Sequence, residues 1–160
     1  MIDIRKFTVE DIDFILKNWV NTDKLDGYWK DATKVSLSKS FEIWDKEIDE
    51  QGRPKLKFCI ELDFHGKKFP IGVIYYSYNS DGFLTYNIFI DKNERGKGFA
   101  TIATKLAEEK LKEKGVKIIK SSSFHKNIAS INLHKKVGFQ LIKQEINSAG
   151  NLMYRWEKNL

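Results

Sequence analysis

Ile88-Phe89-Ile90-Asp91-Lys92-Asn93-Glu94-Arg95-Gly96-Lys97-Gly98-Phe99-Ala100-Thr101 runs from a strand end through a glycine-rich turn straight into a helix start. Ile88, Phe89 and Ile90 close an apolar β-run, and Phe99, Ala100 and Thr101 open a helical one. A turn so placed points successive backbone N–H groups outward at a helix N-terminus, where the partial positive charge favours phosphate. Gly96 and Gly98 permit the unusual dihedrals and close approach such a turn needs. Arg95 and Lys97 add full charges. Two common nucleotide signatures do not fit. There is no Gly-Lys-Ser/Thr, and Thr101 stands where the dinucleotide fingerprint has its third glycine. An ordinary tight turn before a helix remains the alternative.

Working outward, the pattern upstream has period two. Leu56, Phe58, Ile60 and Leu62 alternate with Lys57, Cys59, Glu61 and Asp63, the mark of a half-buried strand. His65-Gly66 turns into a strand over 71–78, and Ser80-Asp81-Gly82 turns into another over 83–90. Further upstream, a short strand over 2–7 precedes a helix opened by Thr8-Val9-Glu10-Asp11, with Ile12, Ile15, Leu16 and Trp19 at helical spacing. A second helix is expected over 36–49. Downstream, the helix over 98–114 should carry Ile102, Ala103, Leu106 and Leu111 inward and end at Gly115. A strand over 116–121, a helix over 127–137 and strands over 139–145 and 151–156 complete the chain. The predicted order is β-α-α-β-β-β-α-β-α-β-β. That is one α/β domain over residues 1–160, a mixed, mostly antiparallel sheet with helices on both faces.

Composition narrows the class. With 41% hydrophobic and 31% charged residues, the chain has the balance of an ordinary globular domain. No apolar run approaches the ~18–20 residues that cross a bilayer, and the N-terminus carries no secretory pattern, so the expected location is the cytoplasm, with no membrane partner. Cys59 is the single cysteine, which rules out an internal disulfide and any multi-cysteine metal site; no metal is implied. The net charge of +6 is uneven: residues 92–143 hold 13 Lys/Arg against 4 Asp/Glu. Such a segment suits an anionic ligand, either nucleic acid or a phosphorylated cofactor. A solvated lysine-rich surface would look the same.

Arg95-Gly96-Lys97-Gly98-Phe99-Ala100 resembles the Arg/Gln-x-x-Gly-x-Gly/Ala motif of the GNAT N-acetyltransferase superfamily, with Arg95, Gly98 and Ala100 at the defining positions. A second block, Asn127-Ile128-Ala129-Ser130-Ile131-Asn132-Leu133-His134-Lys135-Lys136-Val137-Gly138-Phe139, is similar to that family's Asn-x-x-Ala/Ser…Leu-Tyr/His-x-Lys-x-Gly-Phe segment. The resemblance spans about residues 2–157, but only 84–139 is specific. It implies a bacterial-type, single-domain member with the acyl-CoA N-acyltransferase-like fold and acetyl-CoA as co-substrate. The loop Arg95 to Thr101 would hold the pyrophosphate, and the backbone of Ile88, Phe89 and Ile90 would pair with the pantetheine arm. Asn127 and Ser130 would also contact the cofactor, in an opening between the strands over 83–90 and 116–121. At 100° per residue, Asn127, Ser130, Ile131 and His134 share one helix side. A helix capped by Asn127 and ended by Gly138 would do so as well.

Where His134 stands, the family often has a tyrosine acting as general acid on the leaving thiolate, and a subset has histidine. Histidine can donate a proton near neutral pH, so His134 is the candidate catalytic residue. The acceptor is expected to be a small-molecule or peptide amine attacking the thioester directly. Glu61, Asp63, Tyr86, Asn87, Asp26 and Asp31 are candidates for the base, and none stands out. Tyr28, Trp29, Tyr75, Tyr76, Tyr78 and Tyr86 could line an acceptor pocket or simply form core. Cys59 reads as packing. The rivals are a small basic nucleic-acid-binding module, which lacks interleaved aromatics and a recognition helix, and an inactive coenzyme-binding regulatory domain. No specific nucleic acid is expected, and a homodimer stays open.

Overall fold

The computed structural model describes residues 1–18, 56–78 and 83–160. The helix expected over 36–49, the Ser80-Asp81-Gly82 turn, and Trp19, Asp26, Tyr28, Trp29 and Asp31 lie outside the described residues. Strand β1 (Ile2–Lys6) leads through a 3₁₀ turn (Val9–Asp11) into helix α1 (Ile12–Asn18). Strands β2 (Leu56–Phe64), β3 (Lys67–Tyr78) and β4 (Leu84–Ile90) follow, then helix α2 (Phe99–Glu113) and strand β5 (Ile118–Phe124). Helix α3 (Ile128–Lys136) and strands β6 (Gln140–Ile146) and β7 (Leu152–Asn159) end the chain.

The seven strands form one sheet in the order β1-β2-β3-β4-β5-β7-β6. Only the β4–β5 contact is parallel, and it holds just two residue pairs, Leu84↔Ile119 and Thr85↔Lys120. The others are antiparallel, as expected. His65 and Gly66 form the β2–β3 hairpin with φ of 53° and 77°, the type I′ geometry that matches strand twist. Gly72 pairs with Ile90, and a Cβ there would stand 2.4 Å from the Phe89 carbonyl oxygen. Only glycine lets β3 lie close enough to β4 to keep that register.

Apolar cores form on both faces. Phe7, Ile12 and Ile15 pack with Cys59 and Val73 beside α1. On the other face, Phe58, Ile60, Ile74, Tyr76, Tyr86 and Trp156 meet Ala103, Ala107 and Leu111 of α2 and Ile131 of α3. Arg5 ties the N-terminal strand to both neighbours, bidentate to Asp11 and through Nε to Glu61 at 2.7 Å. Burial opposes ionisation of Asp11, but Arg5 and the Thr8 N–H outweigh it and hold the carboxyl below its usual range. Among the described residues no helix is long and apolar enough to cross a membrane.

Two expectations need correction. Ile102 is 45% exposed; the buried face of α2 is Ala103, Thr104, Ala107, Glu108 and Leu111. The stripe is rotated because small residues let α2 lie close to the sheet, and Glu108 turns inward to meet Lys158. The fifth strand begins two residues later than expected, since Val116 N–H closes the α2 terminus on the Leu111 carbonyl after left-handed Gly115. It extends through Ser121-Ser122-Ser123 because alternate serines face inward and find partners.

Glu108 and Lys158 join α2 to β7. Lys158 Nζ lies 2.7 and 2.6 Å from the two carboxylate oxygens and also donates to the Val137 carbonyl at the end of α3. Glu108 is 5% exposed. Lys158→Ala strands that charge in the core and should cost about 3 kcal/mol in urea unfolding. Lys158→Met combined with Glu108→Leu should recover most of the loss, because an apolar pair removes the unmatched charge. Equal stability of wild type and Lys158→Ala would refute the bridging role.

Candidate functional site

The site starts where β4 and β5 part. Ser121 Oγ lies 3.3 Å from the Tyr86 carbonyl oxygen, so that carbonyl faces β5. Alternation along a strand already paired with β3 puts the N–H and C=O of Ile88 and Ile90 on the same side. Arg95 Nε meets the Ile90 carbonyl there at 2.8 Å, while the next N–H, that of Asp91, bonds back to Ile71 on β3. Beyond Thr85↔Lys120 no ladder joins the two strands. The result is a V-shaped opening with Ile88 and Ile90 backbone groups on one wall. Phe89, of opposite parity, turns its backbone to Val73 instead.

The glycine-rich turn closes one end. Asp91 accepts from Asn93 N–H and holds a short 3₁₀ turn over Lys92–Glu94. Gly96 and Gly98 follow with φ of 77° and 83°, and a Cβ at either would meet nothing within 4 Å. The turn therefore faces open space. The backbone N–H groups of Gly96, Lys97, Gly98, Phe99 and Ala100 have no hydrogen-bond partner among the described residues. Thr101 differs: its N–H is taken by the Gly98 carbonyl at 3.1 Å. Five open donors at the start of a 15-residue helix form an anion cradle, and its chemistry fits a pyrophosphate. Arg95 also stacks over Phe89, 5.4 Å from its centroid. Lys97 pairs with Glu94 at 2.9 Å in an exposed contact that costs little to exchange.

The second block folds against the other wall. Asn127 caps α3, its side chain accepting from Ser130 N–H at 3.0 Å. The Ser130 carbonyl accepts from His134 Nδ1 at 2.7 Å, and His134 Nε2 lies 2.8 Å from Ser121 Oγ. A hydrogen-bonded line therefore runs from the α3 cap to β5 and the edge of β4. His134 is only 3% exposed. Its ring stacks on Trp156 at 5.1 Å and meets Tyr86 and Phe139 edge-on at 5.7 and 5.1 Å. Burial lowers its pKa from 6.5, and the Ser130 carbonyl opposes that shift only in part.

The remaining candidates sort by partner. Glu61 is bonded to Arg5, and Asp63 accepts from Gly66 N–H in the hairpin. Tyr86 donates to Thr104, whose own proton goes to the Ala100 carbonyl; burial holds the phenol neutral. Tyr76 is fully buried core. Asn87 is exposed on β4. Cys59 is fully buried and its thiol is pushed up to about 12 by burial, which suits packing and not nucleophilic attack. Sequence reasoning missed Ser121; its only trace was a serine run ending a strand, a pattern that also describes an exposed edge.

The protein resembles known structures across its whole length. It covers 99% of itself and 98% of an N-acetyltransferase from Staphylococcus aureus Mu50, at 19% identity and a TM-score of 0.79. A domain from Methanocaldococcus jannaschii DSM 2661 matches 100% of this chain and 99% of its own at 20% identity and 0.77. Spermidine N-acetyltransferase from Vibrio cholerae, solved with CoA and spermine, matches 99% and 95% at 17% and 0.74. No curated protein sequence matches. The sequence model of the GNAT acetyltransferase family matches residues 22–139. With the open amides of Gly96 to Ala100 and the parted strands in place, that match over well more than half the length settles the family: the chain belongs to the GNAT acetyltransferases, and acetyl-CoA is its acetyl donor.

Proposed function

We propose that the protein transfers the acetyl group of acetyl-CoA directly to a primary amine held beside the donor in a ternary complex. The observation that carries this reading is the parting of β4 from β5 next to five unpartnered amides. Gly96 to Ala100, with Arg95 and Lys97, hold the pyrophosphate, and the backbone of Ile88 and Ile90 holds the pantetheine arm. Acetyl-CoA supplies a thioester carbon for the amine to attack. Ile88 N–H, fixed by the β3–β4 ladder, stands to receive the carbonyl oxygen as its charge grows. Preorganised donors and orientation supply most of the acceleration. Asn127 and Ser130 order α3 against the cofactor wall, and His134 takes part in proton transfer. The acceptor is a small-molecule or peptide amine. Polyamines head the trial set because one fold neighbour is a spermidine N-acetyltransferase solved with spermine.

Donor binding is expected to raise the melting temperature, since a ligand held at 100 times its Kd adds about 2.7 kcal/mol to the folded state. Gly98→Val should abolish the shift. Its φ of 83° also strains any branched side chain, so the free variant should melt lower, by the equivalent of about 1–2 kcal/mol. A wild-type protein unmoved by millimolar acetyl-CoA would overturn the donor site. Thiol release from acetyl-CoA, assayed over polyamines, peptide N-termini, lysine peptides and aminoglycosides, then identifies the acceptor class; release with none of them contradicts amine transfer.

The basic 92–143 segment is read as a cofactor-side surface. Nucleic-acid binding should therefore be weak and should vanish by about physiological salt, as expected where counterion release is its only source. Tight, structure-selective binding at that salt would favour the nucleic-acid module instead.

A further inference from the structure

We propose that Ser121 is the catalytic residue that exchanges protons with the reacting atoms, and that His134 works behind it as a buried proton holder. The inference rests on the acetyl-transfer reading above and names the residue that reading lacks.

His134 cannot reach the opening itself. Its ring is enclosed by Tyr86, Phe139 and Trp156, and both nitrogens are occupied within the protein. Ser121 Oγ is the next polar atom in the line, in a residue that is 8% exposed. It stands between β4 and β5 at the first residue pair past the end of their ladder, bonded to His134 on one side and near Tyr86 O on the other. The apex of the V is thus occupied by a hydroxyl where a backbone pair would otherwise continue.

The hydrogen-bond pattern sets the direction of proton flow. A carbonyl only accepts, so the Ser130 contact at 2.7 Å places the proton of the neutral ring on Nδ1. Nε2 is then a bare acceptor, and at 2.8 Å it takes the single proton of Ser121. The same hydroxyl also lies in donor geometry 3.3 Å from Tyr86 O, and its one proton favours the shorter contact to Nε2 while the ring is neutral. Ser121 Oγ is left with lone pairs and no proton to spare. The pair resembles a hydroxyl–imidazole dyad whose base is oriented by a third group. At rest it takes a proton; it does not give one.

The step balances without any co-reactant. As the amine nitrogen bonds to the acyl carbon, Ser121 Oγ takes the surplus amine proton and passes its own to His134 Nε2. As the carbon–sulfur bond breaks, His134 returns a proton to Ser121, which hands one to the sulfur. Both residues end as they began. An imidazolium enclosed by three aromatic rings is poorly solvated, which favours the return. The groups packed on His134 come from β4 (Tyr86), β5 (Ser121), β7 (Trp156), its own helix (Ser130) and the segment after it (Phe139). Only Tyr86 among them titrates, and burial keeps it neutral. Lys158, paired with Glu108, lies 6.0 Å from the Phe139 ring.

The test pairs kinetics with a measurement on the free protein. In nitrogen-detected NMR at pH 7, His134 should show a protonated Nδ1 and an unprotonated Nε2, and Ser121→Ala should shift the Nε2 resonance. Ser121→Ala should lower kcat about 10²-fold, the usual scale for a positioned proton carrier. Its thermal shift with acetyl-CoA should stay intact, and Ser121→Thr should restore most of the rate. His134→Gln should lose as much as Ser121→Ala, and the double variant no more than either, because the two act as one unit. The dyad must be neutral to accept, so wild-type kcat should fall on an acid limb below 6.5, absent in Ser121→Ala. An Nε2–H tautomer, a Ser121→Ala rate within threefold of wild type when chemistry is limiting, or an acetyl group trapped on Ser121 would each overturn the relay. Loss of the wild-type thermal shift or of all amine acetylation would instead sink the acetyl-transfer reading.

Discussion

Everything at the site depends on β4 and β5 ceasing to pair after Thr85↔Lys120. Two parallel strands in the middle of a sheet would ordinarily satisfy each other along their whole length, because buried backbone polar groups without partners are costly. Here β4 is fixed on its far side by seven consecutive pairs with β3, from Gly72↔Ile90 to Tyr78↔Leu84, and β5 by seven with β7. Each wall is therefore rigid without the other. Apart from the Ile90 carbonyl, which Arg95 Nε takes, the inner edge of β4 at Ile88 and Ile90 is left without a β5 partner, and the Gly96–Ala100 amides are open beside it. A sheet that withholds these bonds has exchanged some folding stability for a binding surface.

The opening survives because the layer beneath it is held by polar contacts as well as apolar ones. The Lys158–Glu108 pair binds α2, β7 and the end of α3 to one another. The His134 ring, wedged among Tyr86, Phe139 and Trp156, keeps α3 at a fixed height below β5, and Trp156 Nε1 donates to Ser123 Oγ at 2.9 Å one serine beyond Ser121. Alternate serines on β5 thus accept or donate toward the helices, where larger apolar side chains would have filled the space that polar groups need.

The parts of this arrangement legible in the sequence were those that depend on backbone conformation. Gly96 and Gly98 announced left-handed turns, Asn127 announced a cap, and strict alternation from Leu56 to Leu62 announced a strand. Each is a local effect carrying its own signal. The inward face of α2 was misjudged at Ile102 because hydrophobicity alone does not foretell that Glu108 will find Lys158, fifty residues away, and draw the helix round. Ser121 escaped for the same reason. Its meaning comes from His134 on another element and from the end of a ladder with a third, and no spacing within the chain encodes that meeting.

The same distinction explains why the donor is plain and the acceptor is not. A donor site built from main-chain amides would ask little of side chains beyond a few glycines at positive φ, one cation and a helix that begins on time. The fold accordingly persists at 17–20% identity with TM-scores of 0.74–0.79, since so few positions are bound by the grip. An amine, by contrast, has to be selected by side-chain shape and charge, which vary freely once the fold is secured. Its recognition is a property of the individual chain. The proposed proton relay does not depend on that choice, because Ser121 and His134 are held by neighbours on β4, β5 and β7 and not by the acceptor.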